Sequence, residues 1–563
     1  MAISATIRRN WFKGLLLGYV LYASAFIYSS SVVVGGERYF LLLDDAMISM
    51  TYARNLARGQ GAVWYPAAER VQGYSNPSWM LYMAAIHLLP LSPAKMALPI
   101  QSTGVVLIGA TLFFVKRIGE LIAAEQHRCK DLDDRRRGAG SCFALVPFVA
   151  VLLTACYFPL NNWSLRGMEV GVLAFGTSLA VWAALECATG RQYQWWLLPW
   201  LGLLTTVRLD AAVASSIIVL WLAWAVPARR WQVLLAGGGV IAFFVLAELA
   251  LQRAYYGDWL PNSYYLKLTG IPIGRRVVWG VYVLWCFLAG FGLWLIILAG
   301  LYVALGRSKN VSLLVAVIAG QVFYSVYVGG DSWEWWGGAN RYLCVAIPLL
   351  FILLALAFAM CGDWVAALRS PGRPAVANGV VLALSAAALL QVNGYNFRKF
   401  NSLAQCVQKD DPPELAAHAA TLVAAINLRE ATSPNARVAV VWAGILPYFS
   451  ERPAVDLLGK NDRRIARGPD RPLDPPPLDM FDLAPVPYFW PGHSKRDFQY
   501  SVASLLPDVV QAWYGMEEIE TTLDERYEHA EFGALDFFVK KNSPEIDFAT
   551  HTAKSGKAQS AGQ

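Results

Sequence analysis

Apolar runs recur along most of this chain, near 13–34, 79–115, 142–160, 168–188, 194–207, 211–227, 233–252, 278–304, 311–328, 342–361 and 377–395. A helix of about 20 apolar residues crosses the hydrocarbon of a bilayer. Lipid offers no partner to backbone N–H and C=O groups, so runs of this kind fold as helices. The composition agrees: 56% of the 563 residues are hydrophobic and only 15% are charged, the balance of a polytopic membrane protein. The N-terminus, MAISATIRRNWFKG, is a short basic flank before the first run. It reads as an uncleaved first span beginning in the cytoplasm. The rival reading, a cleaved signal peptide, lacks a clear small-x-small site.

Basic connectors orient the spans, because Lys and Arg concentrate on the cytoplasmic side. They lie at Lys116 to Gly138, Ala228–Arg229–Arg230–Trp231, Gly306–Arg307–Ser308–Lys309 and Arg369 through Arg373. These agree if 79–115, broken at Pro90 and Pro93, crosses a net single time. That gives about eleven spans. The loops Glu37 to Ser78, Asn161 to Glu169, Val207–Ala211, Arg253 to Arg276 and Gly329 to Arg341 then share the outer face. The odd count also places residues 396–563 outside. The expected organisation is a membrane domain over 1–395, a periplasmic domain over 396–545 and a disordered tail over 546–563. The expected location is a bacterial inner membrane, with site and C-terminal domain periplasmic.

The C-terminal region mixes a Pro-rich turn (Asp474–Pro475–Pro476–Pro477), short apolar runs at Ala436–Val441 and Leu505–Ala512, and a helical pattern over Pro413–Arg429. That mixture predicts a small α/β domain. The net charge of +7 is explained by topology, and nothing marks a nucleic-acid partner. The eight cysteines show no metal-site spacing, and only Cys406 falls in the C-terminal region, which therefore holds no internal disulfide.

The outer loops carry the chemistry. Asp44–Asp45, in LLLDDAMISM, follows the first span. A carboxylate costs roughly 2.5–3.5 kcal/mol at a helix centre, so this pair belongs at the interface or in a wet cavity. There it can take a proton, hold a cation or bind a polar ligand. The plainer reading is a helix cap. Ile48, Tyr52 and Leu56 recur one turn apart and predict an amphipathic helix lying on the membrane surface. The following loop holds Glu69, Arg70, Gln72, Tyr74 and Asn76. Glu169 opens a later span and suits a ligand site or a cap. Arg208 and Asp210 suit a ligand site or a local ion pair. The segment QRAYYGDWLPNSYYLKL brings Tyr256, Asp258, Asn262, Tyr264 and Lys267 together, a mixture that suits a sugar or an interfacial aromatic belt. GGDSWEWWGGANR adds Asp331, Trp333 and Arg341. In the C-terminal domain Asp456, Asp462, His493 and Lys495 stand out, the last two as donors to a phosphate.

Taken in order, DDAMISMTYARNLARGQG, ERVQGYSNPSW, LRGMEVG, YYGDWLPNSYYLK, VGGDSWEW, NRYL, AVDLLGKND and GHSK resemble the integral-membrane glycosyltransferases of the GT-C fold. Within that fold the series resembles AftB-type arabinofuranosyltransferases and the related TfpW-type pilin arabinosyltransferases. The resemblance spans roughly residues 13 to 540. It implies an all-α polytopic membrane protein of GT-C fold with a C-terminal periplasmic α/β domain. It implies an inverting transfer of D-arabinofuranose from a polyprenyl-phosphate donor to a hydroxyl of pilin or an envelope glycan. It also implies a catalytic Asp matching Asp44 or Asp45. Candidates for the leaving phosphate are Arg208, Lys267, Arg341 and Lys495. Arg341 is favoured for its forked donors, the alternative being a brace to Asp331 or Glu334. No cofactor is demanded, and a divalent cation between carboxylate and phosphate stays open. The competing class is a multi-span lipid or glycolipid transporter (flippase), which more often shows internal repeats and charges at the membrane midplane.

Overall fold

The computed structural model describes residues 2–133, 142–190, 194–306, 308–332, 339–369, 374–394, 414–471 and 489–547. Among these, eight helices are long and apolar enough to cross a membrane: Asn10–Ser29, Leu98–Gln126, Val170–Ala188, Pro227–Tyr256, Ile273–Phe291, Lys309–Val328, Ile347–Leu368 and Ala375–Gly394. The pair Cys142–Ala155 and Phe158–Leu165, bent by 55°, makes a ninth if it is one span. Shorter apolar helices cover Leu197–Val207, Ala211–Ala225 and Leu293–Leu305. The molecule is a helical, multi-pass membrane protein. The run 79–115 contains one helix of spanning length, preceded by the short helix Pro77–Ile86. The run 278–304 is not one helix. It divides at Gly292, whose φ of +106° lies outside helical backbone.

Two strands, β1 (Val32–Val34) and β2 (Glu37–Tyr39), form an antiparallel hairpin after the first span. The C-terminal part holds a helix, Leu415–Ala431, and strands β3 (Val438–Val440), β4 (Ala454–Asp456), β5 (Val509–Gln511), β6 (Tyr527–Phe532) and β7 (Leu535–Lys540). They form one sheet in the order β4-β3-β5-β7-β6. β3 pairs in parallel with β4 and β5, while β7 runs antiparallel to β5 and β6. Both faces of β3, β4 and β5 are buried, which explains their unbroken apolar sequence. Parallel α/β sheets present functional loops beyond the carboxyl ends of their strands. Here the segments after β3 and β4 reach the loops of the membrane domain.

The helix Asp44–Ala57 differs from the expected surface helix. Asp44, Ile48, Tyr52 and Arg54 are all buried. It packs on Pro77–Ile86 on one side and on the C-terminal helix Ile445–Ser450 on the other. Arg54 Nη1 donates to the Tyr448 carbonyl at 2.5 Å, and Trp64 Nε1 donates to the Ala443 carbonyl at 3.2 Å. The apolar stripe is real, but protein rather than lipid covers it.

Candidate active site

Adjacent helical residues point about 100° apart, and Asp44 and Asp45 therefore face different surroundings. Asp44 is buried, and its carboxylate accepts from the backbone N–H of Ile445 at 2.8 Å and of Gly444 at 3.2 Å. It caps the start of helix Ile445–Ser450 and ties the first loop to the segment after β3. A side chain at Gly444 would place Cβ 1.9 Å from the Asp44 carbonyl oxygen, so only glycine allows this approach. Burial pushes the Asp44 carboxyl up to about 6, against the pull of Lys460 and the two amides.

Asp45 faces a cavity of about 170 Å³. Its Oδ1 accepts from Lys460 Nζ and its Oδ2 from Arg341 Nη1, each at 2.9 Å. Burial opposes its charge, but Lys460 and Arg341 prevail and hold the carboxyl well below its usual range. Arg341 also forks onto Asp331, with Nε to Oδ2 at 2.6 Å and Nη2 to Oδ1 at 2.5 Å. Arg341 is therefore a brace between the first loop and the segment after Lys309–Val328. Guanidinium geometry suits this double pairing.

The same cavity is lined by Glu169, Arg208, Asp210, Tyr264 and Lys267. Arg208 donates to Glu169 Oε1 at 2.7 Å and to Asp210 Oδ1 at 2.8 Å, and Asn76 donates to Glu169 Oε2 at 2.9 Å. Both carboxylates are therefore in use by Arg208. Lys267 differs from its neighbours: its ammonium forms no hydrogen bond or ion pair with any described residue. Burial first, then the positive charge of Arg341, pushes it down to about 8. An ammonium that faces a cavity without a carboxylate of its own is open to an anionic ligand.

Other sequence candidates lie outside the cavity lining. Asn262 donates to the carbonyls of Gly459, Lys460 and Asp462 and so shapes the loop that carries Lys460. Asp258 accepts from Arg463 at 3.1 Å and Arg467 at 2.7 Å. Tyr256 bonds Tyr74 and the Ala62 carbonyl. Lys495 is not a free cation: its ammonium donates to the carbonyls of Tyr265, Thr269 and Ala466 at 2.7–2.9 Å. His493 stacks on Trp490, with ring centroids 4.2 Å apart. Burial, then nearby Lys460, pushes it down to about 3, so it is neutral. Asp456 binds the backbone of Leu458, Gly459 and Asn461, and Asp462 caps helix Arg463–Arg467. Trp333 lies outside the described residues, as do Cys406 and the Asp474–Pro477 turn. Among the described residues no three His, Cys, Asp or Glu side chains gather as a metal cage.

The residue that sequence reasoning misses is Lys460. It stands inside AVDLLGKND, where the acidic residues draw the eye. The available signal was its place in the tight loop after an apolar strand.

The family model described as "Domain of unknown function (DUF8728)" matches residues 414–544. No curated protein matches the chain. Among solved structures, ArnT from Cupriavidus metallidurans in the apo state is 11% identical with a TM-score of 0.54, covering 93% of this chain and 98% of that one. ArnT from the same organism bound to undecaprenyl phosphate is 12% identical with a TM-score of 0.47, covering 79% and 85%. The Archaeoglobus fulgidus oligosaccharyltransferase tethered with an acceptor peptide is 11% identical with a TM-score of 0.47, covering 80% and 64%. The likeness to apo ArnT shows the fold: this is a membrane protein of GT-C architecture with a small C-terminal sheet domain.

Proposed function

We propose that this protein is an inverting glycosyltransferase of the bacterial inner membrane. It moves a sugar, D-arabinofuranose on the sequence resemblance, from a polyprenyl-phosphate donor to a hydroxyl of a periplasmic acceptor, either pilin or an envelope glycan. The observation that carries this reading is that one cavity is lined by an ionised carboxylate, Asp45, and by an ammonium without a partner among the described residues, Lys267. An apolar groove of about 580 Å³ adjoins it and shares Gln72, Tyr74 and Glu248 with its lining. Such a groove suits a lipid chain.

In this mechanism the acceptor oxygen attacks the anomeric carbon from the face opposite the lipid phosphate. The new C–O bond forms as the bond to the phosphate oxygen breaks, and that oxygen leaves with the electron pair. Asp45 takes the proton of the attacking hydroxyl, a role that requires an approach of about 3 Å. Lys267 offsets the charge that grows on the leaving phosphate. Arg341 and Lys460 hold the Asp45 carboxylate in place and ionised. Asp44 serves as a clamp, because it binds the backbone after β3 and lies outside the cavity lining that includes Asp45.

Mass spectrometry of envelope glycans and pilin, from strains with and without the gene, tests the reading. Loss of a pentose from one of these fractions supports it. Identical glycan and pilin masses in both strains contradict it.

A further inference from the structure

The helix Pro227–Tyr256 is of spanning length, and only 17% of its apolar window is buried. Phe243, Leu246 and Leu251 are exposed. Phe244, Glu248, Gln252 and Tyr256 recur at every fourth position and share another face. Glu248 lies about 12 Å along the helix from its Tyr256 end, within the span. A carboxylate at that depth calls for a partner. Yet Glu248 Oε2 is buried with no hydrogen-bond partner among the described residues, and so are both amide atoms of Gln252. Gln252 is only 5% exposed. A buried polar group left unpaired costs about 1–3 kcal/mol. The same deficit recurs on two successive turns.

Both side chains line the apolar groove, and Glu248 also lines the cavity that holds Asp45 and Lys267. Gln72 borders both spaces as well. A carboxylate repels phosphate, for which the cavity has Lys267. A carboxylate accepts and an amide both donates and accepts, which together suit a hydroxyl. We infer that Glu248 and Gln252, with Gln72, form a hydroxyl-binding subsite at the junction of groove and cavity, which reads the ring of a sugar. The ring belongs to the donor or to the acceptor, and the chemistry is the same for either. This subsite rests on the glycosyltransferase reading.

The test is equilibrium binding to the full-length protein in detergent, comparing wild type, Glu248→Leu and Glu248→Gln. The probes are decaprenyl phosphate, decaprenyl-phosphoryl arabinofuranose and octyl arabinofuranoside. Affinity for bare decaprenyl phosphate should not fall in either variant. Glu248→Leu should weaken binding of a sugar-bearing probe about ten- to a hundredfold, the loss of a hydrogen bond to a charged group, and Glu248→Gln should weaken it less. A loss confined to the lipid-linked sugar assigns the ring to the donor, and a loss confined to the octyl glycoside assigns it to the acceptor. Unchanged affinity for both sugars overturns the subsite, as does an equal loss for bare decaprenyl phosphate. Wild-type protein that binds neither lipid contradicts the donor reading itself, and the subsite falls with it.

Discussion

Lys460 Nζ and Asp45 Oδ1 stand 2.9 Å apart although 415 positions separate them in the chain. The small sheet domain thereby places a cation directly on a carboxylate of the membrane domain. The pair is nearly dry, with side-chain exposures of 11% and 17%. Lys460→Met should lower stability by about 1.5–3 kcal/mol, the range for a hydrogen bond to a charged group. It should also impair turnover, because Asp45 then loses the cation on its Oδ1. Thermal unfolding in detergent and a transfer assay check the two halves. A variant with wild-type melting and turnover would show the contact to be idle.

Arg341→Lys separates a brace from a phosphate ligand. An ammonium cannot reproduce the fork onto Asp331 and still reach Asp45. The structure predicts a stability loss of about 3 kcal/mol without any donor present, the scale of breaking a buried ion pair. A phosphate ligand would instead give normal melting and a raised donor KM.

Lys267 supplies a pH signature. Its folded value is pushed down to about 8, so the ammonium is charged below that pH and neutral above it. Donor kcat/KM, which reports the free enzyme, should be level near pH 7 and fall as pH rises past about 8. Lys267→Arg stays charged across this range and should move the falling limb to higher pH. An unchanged alkaline limb would remove Lys267 from donor binding.

Gly444→Ala probes the clamp. The added Cβ would meet backbone of Asp44, which cannot rotate away. The substitution should part the first loop from the segment after β3, seen as faster proteolysis of the C-terminal domain and lost turnover. Gly379→Ala, with nothing within 4 Å of the added Cβ, should be neutral.

The helical membrane fold is legible in the sequence because hydropathy is a local signal. The division of 278–304 at Gly292 is not, since a glycine inside a continuous apolar run gives no sign of its backbone angle. The strands β3 and β5 fall within the short runs Ala436–Val441 and Leu505–Ala512. Helix Asp44–Ala57 shows why periodicity reveals an apolar face but not what covers it. The site divides similarly. Residue type marks Asp45, Arg208, Lys267 and Arg341 as candidates, but pairing decides what each can do. Lys495 and Lys267 look alike in sequence, yet among the described residues three carbonyls occupy one ammonium and none occupies the other. Those partners come from distant segments, as Lys460 does, and no local pattern encodes them.

The most direct test is turnover of decaprenyl-phosphoryl arabinofuranose by purified wild-type and Asp45→Asn protein, with release of decaprenyl phosphate and glycosylation of an acceptor hydroxyl measured together. Wild type should form both products in equal amounts. Asp45→Asn, which keeps the size of the side chain, should remain folded and lose about 10²–10⁴-fold in rate, the scale of a general base. Near-normal turnover in Asp45→Asn would contradict the account.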